Sequence, residues 1–401
     1  MKLFNDFFFI IKSIFIPLIL YLLGYTSFSY IILLFFLLII ISKLNKKINN
    51  AESHLFVSSL FFFYVIPIYS TYYDLNIDYL WIIFYTIPFT YYLFFCVSQK
   101  IVILNEYQIK HSKLIINNEH YLTFIYILLL SFCFFFINYF FIFASIIVAL
   151  NILQVEANLI QKKKIFNQLL FSFILMIILF YMLFKFWNFS GRLNILILTF
   201  PYFLLLVSYE KIKFNLLIYI ILLPILVLAS QLPRLSLDNK FISFYYDGSI
   251  SHHLYLTEYI KKLDFNVFYH FYDQVILLFL SWLPRSLWQN KPIGIGYSSV
   301  DEIFLRKGYD DGYSQSIGYL GEIFYYFGNY YLFAIFLILF IFLILKFTLN
   351  FLSYGYRSPM ILFNTNLIIY LWGGMASFSS RVWFMLIPLL FTIFFFKIIY
   401  N

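Results

Sequence analysis

Most of this chain is apolar and uninformative, and the stretch 281–296 is neither; it reads S-W-L-P-R-S-L-W-Q-N-K-P-I-G-I-G. Arg285 and Lys291 stand there among Trp282, Leu283, Leu287 and Trp288. Pro284 and Pro292 end helical runs on either side. Tryptophan is favoured at a membrane–water interface, so two cations beside two tryptophans suit an anion carried on a lipophilic molecule. An interfacial anchor made of tryptophan and snorkelling cations is the plainer alternative.

The other arginines extend this pattern. Arg192 (F-S-G-R-L-N) and Arg381 (F-S-S-R-V-W) each open an apolar run, and Arg234 (Q-L-P-R-L) follows the end of another. Arginine offers a rigid fork of donors that matches phosphate bidentately, which lysine does not. A set of Arg192, Arg234, Arg285 and Arg381 with Lys291 at one membrane depth would fit a lipid-linked phosphate or pyrophosphate. The alternative for each is pairing with lipid phosphate or a loop carboxylate. Among the acids, Glu322 lies in S-I-G-Y-L-G-E-I-F-Y-Y-F-G. A carboxyl half out of water has a raised pKa, which suits proton transfer, although a helix-end carboxylate bonded to its loop is an equal alternative. His253 and Asp247 are the other candidate bases. His252 and His253 make a poor metal pair, because adjacent side chains diverge and no further ligand stands at metal spacing. No metal and no cofactor is expected.

These residues must be positioned by a membrane scaffold. Of 401 residues, 63% are hydrophobic and 11% charged, and apolar runs of about 18 or more residues recur along the chain. The net charge of +9 suits basic cytoplasmic loops and does not imply nucleic acid. Cys96 and Cys133 fall inside apolar runs and read as small core residues. Met1–Asn401 contains no Walker loop, nucleotide fingerprint or Gly-x-Ser-x-Gly elbow. The apolar start, which lacks a small-residue cleavage site, reads as a retained helix rather than a signal peptide.

The pattern predicts an all-α polytopic protein of about twelve transmembrane helices, near 5–23, 28–42, 55–73, 79–98, 121–137, 139–155, 166–184, 193–208, 214–230, 329–348, 359–376 and 383–400. The run 121–150 is read as two helices turning near Asn138, because one long helix would place Lys162, Lys163 and Lys164 outside. The lysines then put both termini in the cytoplasm. The expected organisation is a nine-helix region (1–230), an extracytoplasmic loop with an interfacial helix near 269–283 (231–328), and a three-helix region (329–401). Long ordered loops are usually functional, so the active surface is expected in 231–328. The near absence of charge in the span centres disfavours ion-coupled transport.

W-L-P-R-S-L-W-Q-N-K-P, followed by a loop and then S-I-G-Y-L-G-E-I-F-Y-Y-F-G-N before a span, resembles the oligosaccharide repeat-unit polymerases, the O-antigen polymerase family. Arg285 and Gly296 also match an Arg-x10-Gly spacing found in external loops of that family. The resemblance is specific over about 283–328 and architectural elsewhere. It implies a fold related to the GT-C lipid-dependent glycosyltransferases and an inverting, metal-independent glycosyl transfer at the outer face of the bacterial cytoplasmic (inner) membrane. The product would be an O-antigen or capsule-type polysaccharide. The substrates would be undecaprenyl-pyrophosphate-linked oligosaccharides, and a chain-length regulator and a flippase would be partners. Many such enzymes carry Asp-x-Asp or Glu-x-Asp in the first outer loop. Here 24–27 has no carboxylate, and Asp74 and Asp78 have three residues between them, which argues against a metal. An O-antigen ligase of the same superfamily and a non-enzymatic flippase are the alternatives.

Overall fold

The computed structural model describes residues 106–161, 165–187, 192–209, 269–294, 318–327 and 330–400. Spans one to four and nine of the sequence reading lie outside them, as do Asp247, His253 and Arg234. The described part is all-helical: α1 (Glu106–Asn117), α2 (Glu119–Phe135), a 3-10 turn (Ile137–Tyr139), α3 (Phe140–Gln161), α4 (Ile165–Trp187), α5 (Arg192–Ser208), α6 (Tyr269–Leu280), α7 (Gly318–Phe327), α8 (Tyr331–Leu352) and α9 (Ser358–Tyr400). Among the described residues, four stretches are long and apolar enough to cross a membrane: Ile137–Gln161, Ile165–Leu183, Phe333–Leu352 and Gly373–Ile398.

The run 121–150 does form two helices, turning at Ile137–Tyr139. They lie antiparallel: Tyr126 of α2 donates its hydroxyl to Gln154 of α3 at 3.0 Å, and the rings of Phe132 and Phe143 stand 5.5 Å apart. α3 is the central helix, buried from Ile147 through Leu159 with hardly a break, and α1, α2, α4, α5 and α9 all pack on it. α2, α4 and α8 turn large apolar side chains outward, such as Phe124, Phe173 and Phe347. Water does not tolerate such faces in quantity, whereas lipid does.

α9 spans 43 residues but is interrupted at one non-helical residue, Gly374, at φ 75° and ψ −171°. It is not straight. Phe363 and Phe378 have ring centroids 5.5 Å apart, whereas fifteen residues of straight helix would separate them by roughly 22 Å. The Asn366 amide reaches Met385 Sδ at 3.8 Å, and Lys397 Nζ sits 4.1 Å from the centre of the Tyr354 ring, beyond the other end of the helix. The chain therefore doubles back at Gly374, and α9 is a helical hairpin. Two helices were expected here, but with their turn in the polar stretch 377–382. The break falls earlier, in W-G-G-M, where glycine alone adopts the required backbone without strain.

Two further helices lie where loops were expected. α1 occupies a lysine-bearing connection, burying Ser112 and Ile115 and accepting a 2.7 Å bond on Ser112 Oγ from Gln161 of α3. α7 carries Glu322.

Candidate functional site

Of the candidate residues that the structure describes, Glu322 and Arg381 meet at the α9 hairpin, and the loop that carries Arg285 and Lys291 ends against it at Gly294. Its tip is built from Gly373, Gly374 and Met375. The second arm restarts there, with first-turn N–H groups that lack helical partners. Glu322 of α7 supplies the acceptor: both carboxyl oxygens accept from the Met375 N–H, at 2.9 and 2.8 Å. The Glu322 side chain is completely buried. It sits so close to the tip that a Cβ at position 374 would overlap both Oε1 and Cδ. Burial pushes this carboxyl up to about 8, against the pull of the Met375 N–H.

The same tip is held from α6. Ser379 Oγ donates to Leu277 O at 3.0 Å, and the Trp383 indole donates to Leu278 O. Beyond α6 the chain makes the W-L-P-R-S-L-W-Q-N-K-P loop, and Gly294 at its end lies against Ala376 of the tip. Arg285 and Lys291 tie this loop to itself. Arg285 donates Nη1 to Lys291 O at 2.8 Å and Nη2 to Pro292 O at 3.3 Å. Lys291 Nζ donates to Ser281 O at 2.7 Å and Leu283 O at 2.8 Å. Partial burial, with the Arg285 charge next in weight, lowers the Lys291 ammonium from its ordinary value. The cations read from sequence as anion ligands thus have a second task, closing a loop whose prolines supply no N–H donors.

Arg381 does not begin a helix, as the sequence reading expected. It lies about two turns beyond Gly374, and its Nη1 donates to Ser377 O at 2.8 Å. It lines a cavity of about 200 Å³ with Ser145 and Phe141 of α3, Ile197 and Leu198 of α5, and Ser380 and Phe384 of its own helix. One guanidinium and two hydroxyls in otherwise apolar walls suit the phosphate end of a lipid. Arg192 does begin a helix, α5, five residues before Ile197 of the same wall. Arg285 and Lys291 are not among the lining residues. Among the described residues no cluster of three His, Cys, Asp or Glu side chains could hold a metal.

The sequence reading missed Glu156. This fully buried carboxylate of α3 accepts from the Tyr209 hydroxyl at 2.7 Å, from Arg357 N at 2.6 Å and from Ser358 N at 2.9 Å. It caps the start of the first α9 arm as Glu322 caps the start of the second. Ser-Pro at 358–359 is a helix-start signal, and one acid closing the apolar run of α3 was the other clue.

No family model, curated protein or solved structure matches this chain.

Proposed function

We propose that this membrane protein polymerises lipid-pyrophosphate-linked oligosaccharide repeat units by inverting glycosyl transfer at the outer face of the cytoplasmic membrane. The observation that carries the reading is the Arg381 cavity, set beneath a hairpin tip on which both stretches resembling the polymerases converge. The W-L-P-R loop ends against Ala376, and the G-Y-L-G-E helix ends its carboxylate on Met375. Stretches about thirty residues apart in sequence meet at one place, beside the cation suited to the leaving group.

In this reading an acceptor-sugar hydroxyl oxygen attacks the anomeric carbon of the donor glycan. The bond from that carbon to the pyrophosphate oxygen breaks, and undecaprenyl pyrophosphate leaves with the electron pair. Arg381, joined by Arg192 and Arg234, would neutralise the charge that grows on the departing oxygen. That stabilisation is stronger in the transition state than in the ground state. The leaving pyrophosphate needs no proton. The attacking hydroxyl loses one, to His253 or Asp247 among the sequence candidates, since Glu322 is buried and committed to Met375.

The test uses purified full-length protein in lipid with undecaprenyl-pyrophosphate-linked repeat units and chelator. A ladder of longer lipid-linked glycans is expected. Transfer only after lipid A-core is added would replace this reading with the ligase. No transfer under either condition, together with units stranded at the cytoplasmic face of a deletion strain, would replace it with the flippase.

A further inference from the structure

We propose that Glu322 is a positioning residue, which caps the second arm of the α9 hairpin at Met375 and so fixes the turn of helix from which Arg381 reaches its cavity. This deepens the reading of Arg381 as a pyrophosphate ligand and rests on it.

Three observations carry the inference. Glu322 has no exposed surface, and it is not among the residues lining the Arg381 cavity, so it does not reach a substrate there. Both of its oxygens are spent on one N–H, the donor that the broken helix leaves without a partner. Gly374 is shaped to this carboxyl. It has the positive φ of 75° that reverses the chain, and it lacks the Cβ that would overlap Oε1. Acid and glycine are two halves of one joint.

The next turn passes the geometry on. Ala376 meets Gly294, Ser377 O accepts from Arg381 Nη1, and Ser379 Oγ ties to α6. A capped Met375 holds this turn in register. An uncapped one leaves a buried N–H unpaired and frees the turn to unwind towards Arg381.

A geometric readout separates the joint from the chemistry. The Cβ of a side chain at 294 would lie 3.6 Å from Ala376 Cβ, within disulfide range. Full-length protein with Gly294→Cys and Ala376→Cys, and with Cys96 and Cys133 changed to Ala, should cross-link readily in membranes. Adding Glu322→Ala should slow cross-linking by between about twofold and thirtyfold, the span expected for losing a helix cap, and should cut polymer formation by at least as much. Gly374→Ala should do the same. Glu322→Gln keeps an acceptor oxygen at the same reach. It should restore most of both signals.

A Gln variant that cross-links like the parent but is as inactive as the Ala variant would assign Glu322 to proton transfer and overturn the proposal. An Ala variant that cross-links and polymerises at the parent rate would overturn it as well. If the Ala variant does not accumulate, the Gln variant decides alone, since loss of either signal counts against the cap. Full activity in Arg381→Ala with normal cross-linking would instead sink the pyrophosphate reading while leaving the joint intact.

Discussion

A lysine at position 381 would keep the charge of Arg381 and lose its fork. One nitrogen cannot both hold Ser377 O and face a phosphate in a plane. Arg381→Lys should therefore cost roughly a hundredfold or more in polymer formation, the scale of losing one donor to a developing oxyanion. Single-turnover assays of lipid-linked glycan extension at normal protein levels would check this. Full retention would remove Arg381 from the site. Arg285→Lys would lose one of two carbonyl bonds in an exposed loop, so its effect should be smaller than that of Arg381→Lys. Glu322 gives a pH expectation. Its carboxyl moves from an ordinary 4.5 to about 8 in the folded chain, because burial disfavours the charge. The folded state thus binds the proton more tightly. Its stabilising contribution is complete below about 4.5, falls as pH rises, and is lost through about 8. Among the described residues, the Tyr370 phenol lies near this carboxyl, with Tyr319 beside Tyr370. Phenols ordinarily titrate near 10, outside this window. Melting temperature measured between pH 5 and 8.5 should decline more in the parent than in Glu322→Gln. Parallel curves would remove the charge of Glu322 from the stability of the tip.

At the scale of the elements, α9 is started twice by carboxylates from distant helices, Glu156 of α3 at Ser358 and Glu322 of α7 at Met375. Glu156→Ala would strand two backbone donors and the Tyr209 hydroxyl in the interior, each costing about 1–3 kcal/mol if left unpaired. It should lower thermal stability clearly, with Glu156→Gln in between, and thermal unfolding in detergent would check both. If Glu156→Ala melts with the parent, the carboxylate does not hold α9. This pairing also shows where sequence reading stops. The turn near Asn138 was legible, because the lysines at 162–164 demanded an even number of crossings. Arg192 as the first residue of α5 was legible from the start of its apolar run. The α9 turn was displaced, because polar Ser379 and Ser380 looked more like a turn than two glycines set among apolar residues. α1 was read as a loop, since its lysines outweighed the periodic burial of Ser112 and Ile115. The fit of Glu322 to Gly374 was not legible at all. It joins residues 52 apart in number, and no local pattern encodes an acid that fills the space of a missing Cβ.

At the scale of the whole molecule, the reading depends on which end of the bundle faces out. α9 runs from the Glu156 end to the Glu322 end and back, so the two capping acids mark opposite ends of its arms. Arg357 lies at the Glu156 end, where it donates to Ser208 O and stacks over Tyr209. Arg381, the W-L-P-R loop and α7 lie towards the other end. The lysines make an independent claim: 43–47, 100–113, 162–164 and 211–213 are the basic connections, and positive loops stay in the cytoplasm. α3 ends at Gln161, directly before three of those lysines and near the Glu156 end, so the chain enters that basic connection from the end opposite the W-L-P-R loop. A reporter fused after Lys164 should therefore report the cytoplasm, and one fused after Lys291 the outside. A substituted cysteine at exposed Leu287 should react with an impermeant maleimide from outside intact cells, and one at exposed Lys113 only after the membrane is opened. Labelling of both positions from outside would put the Arg381 cavity and the basic connections on one side. An outer-face polymerase built on this hairpin would then be untenable, because its lipid-linked substrates would meet the wrong end of the bundle.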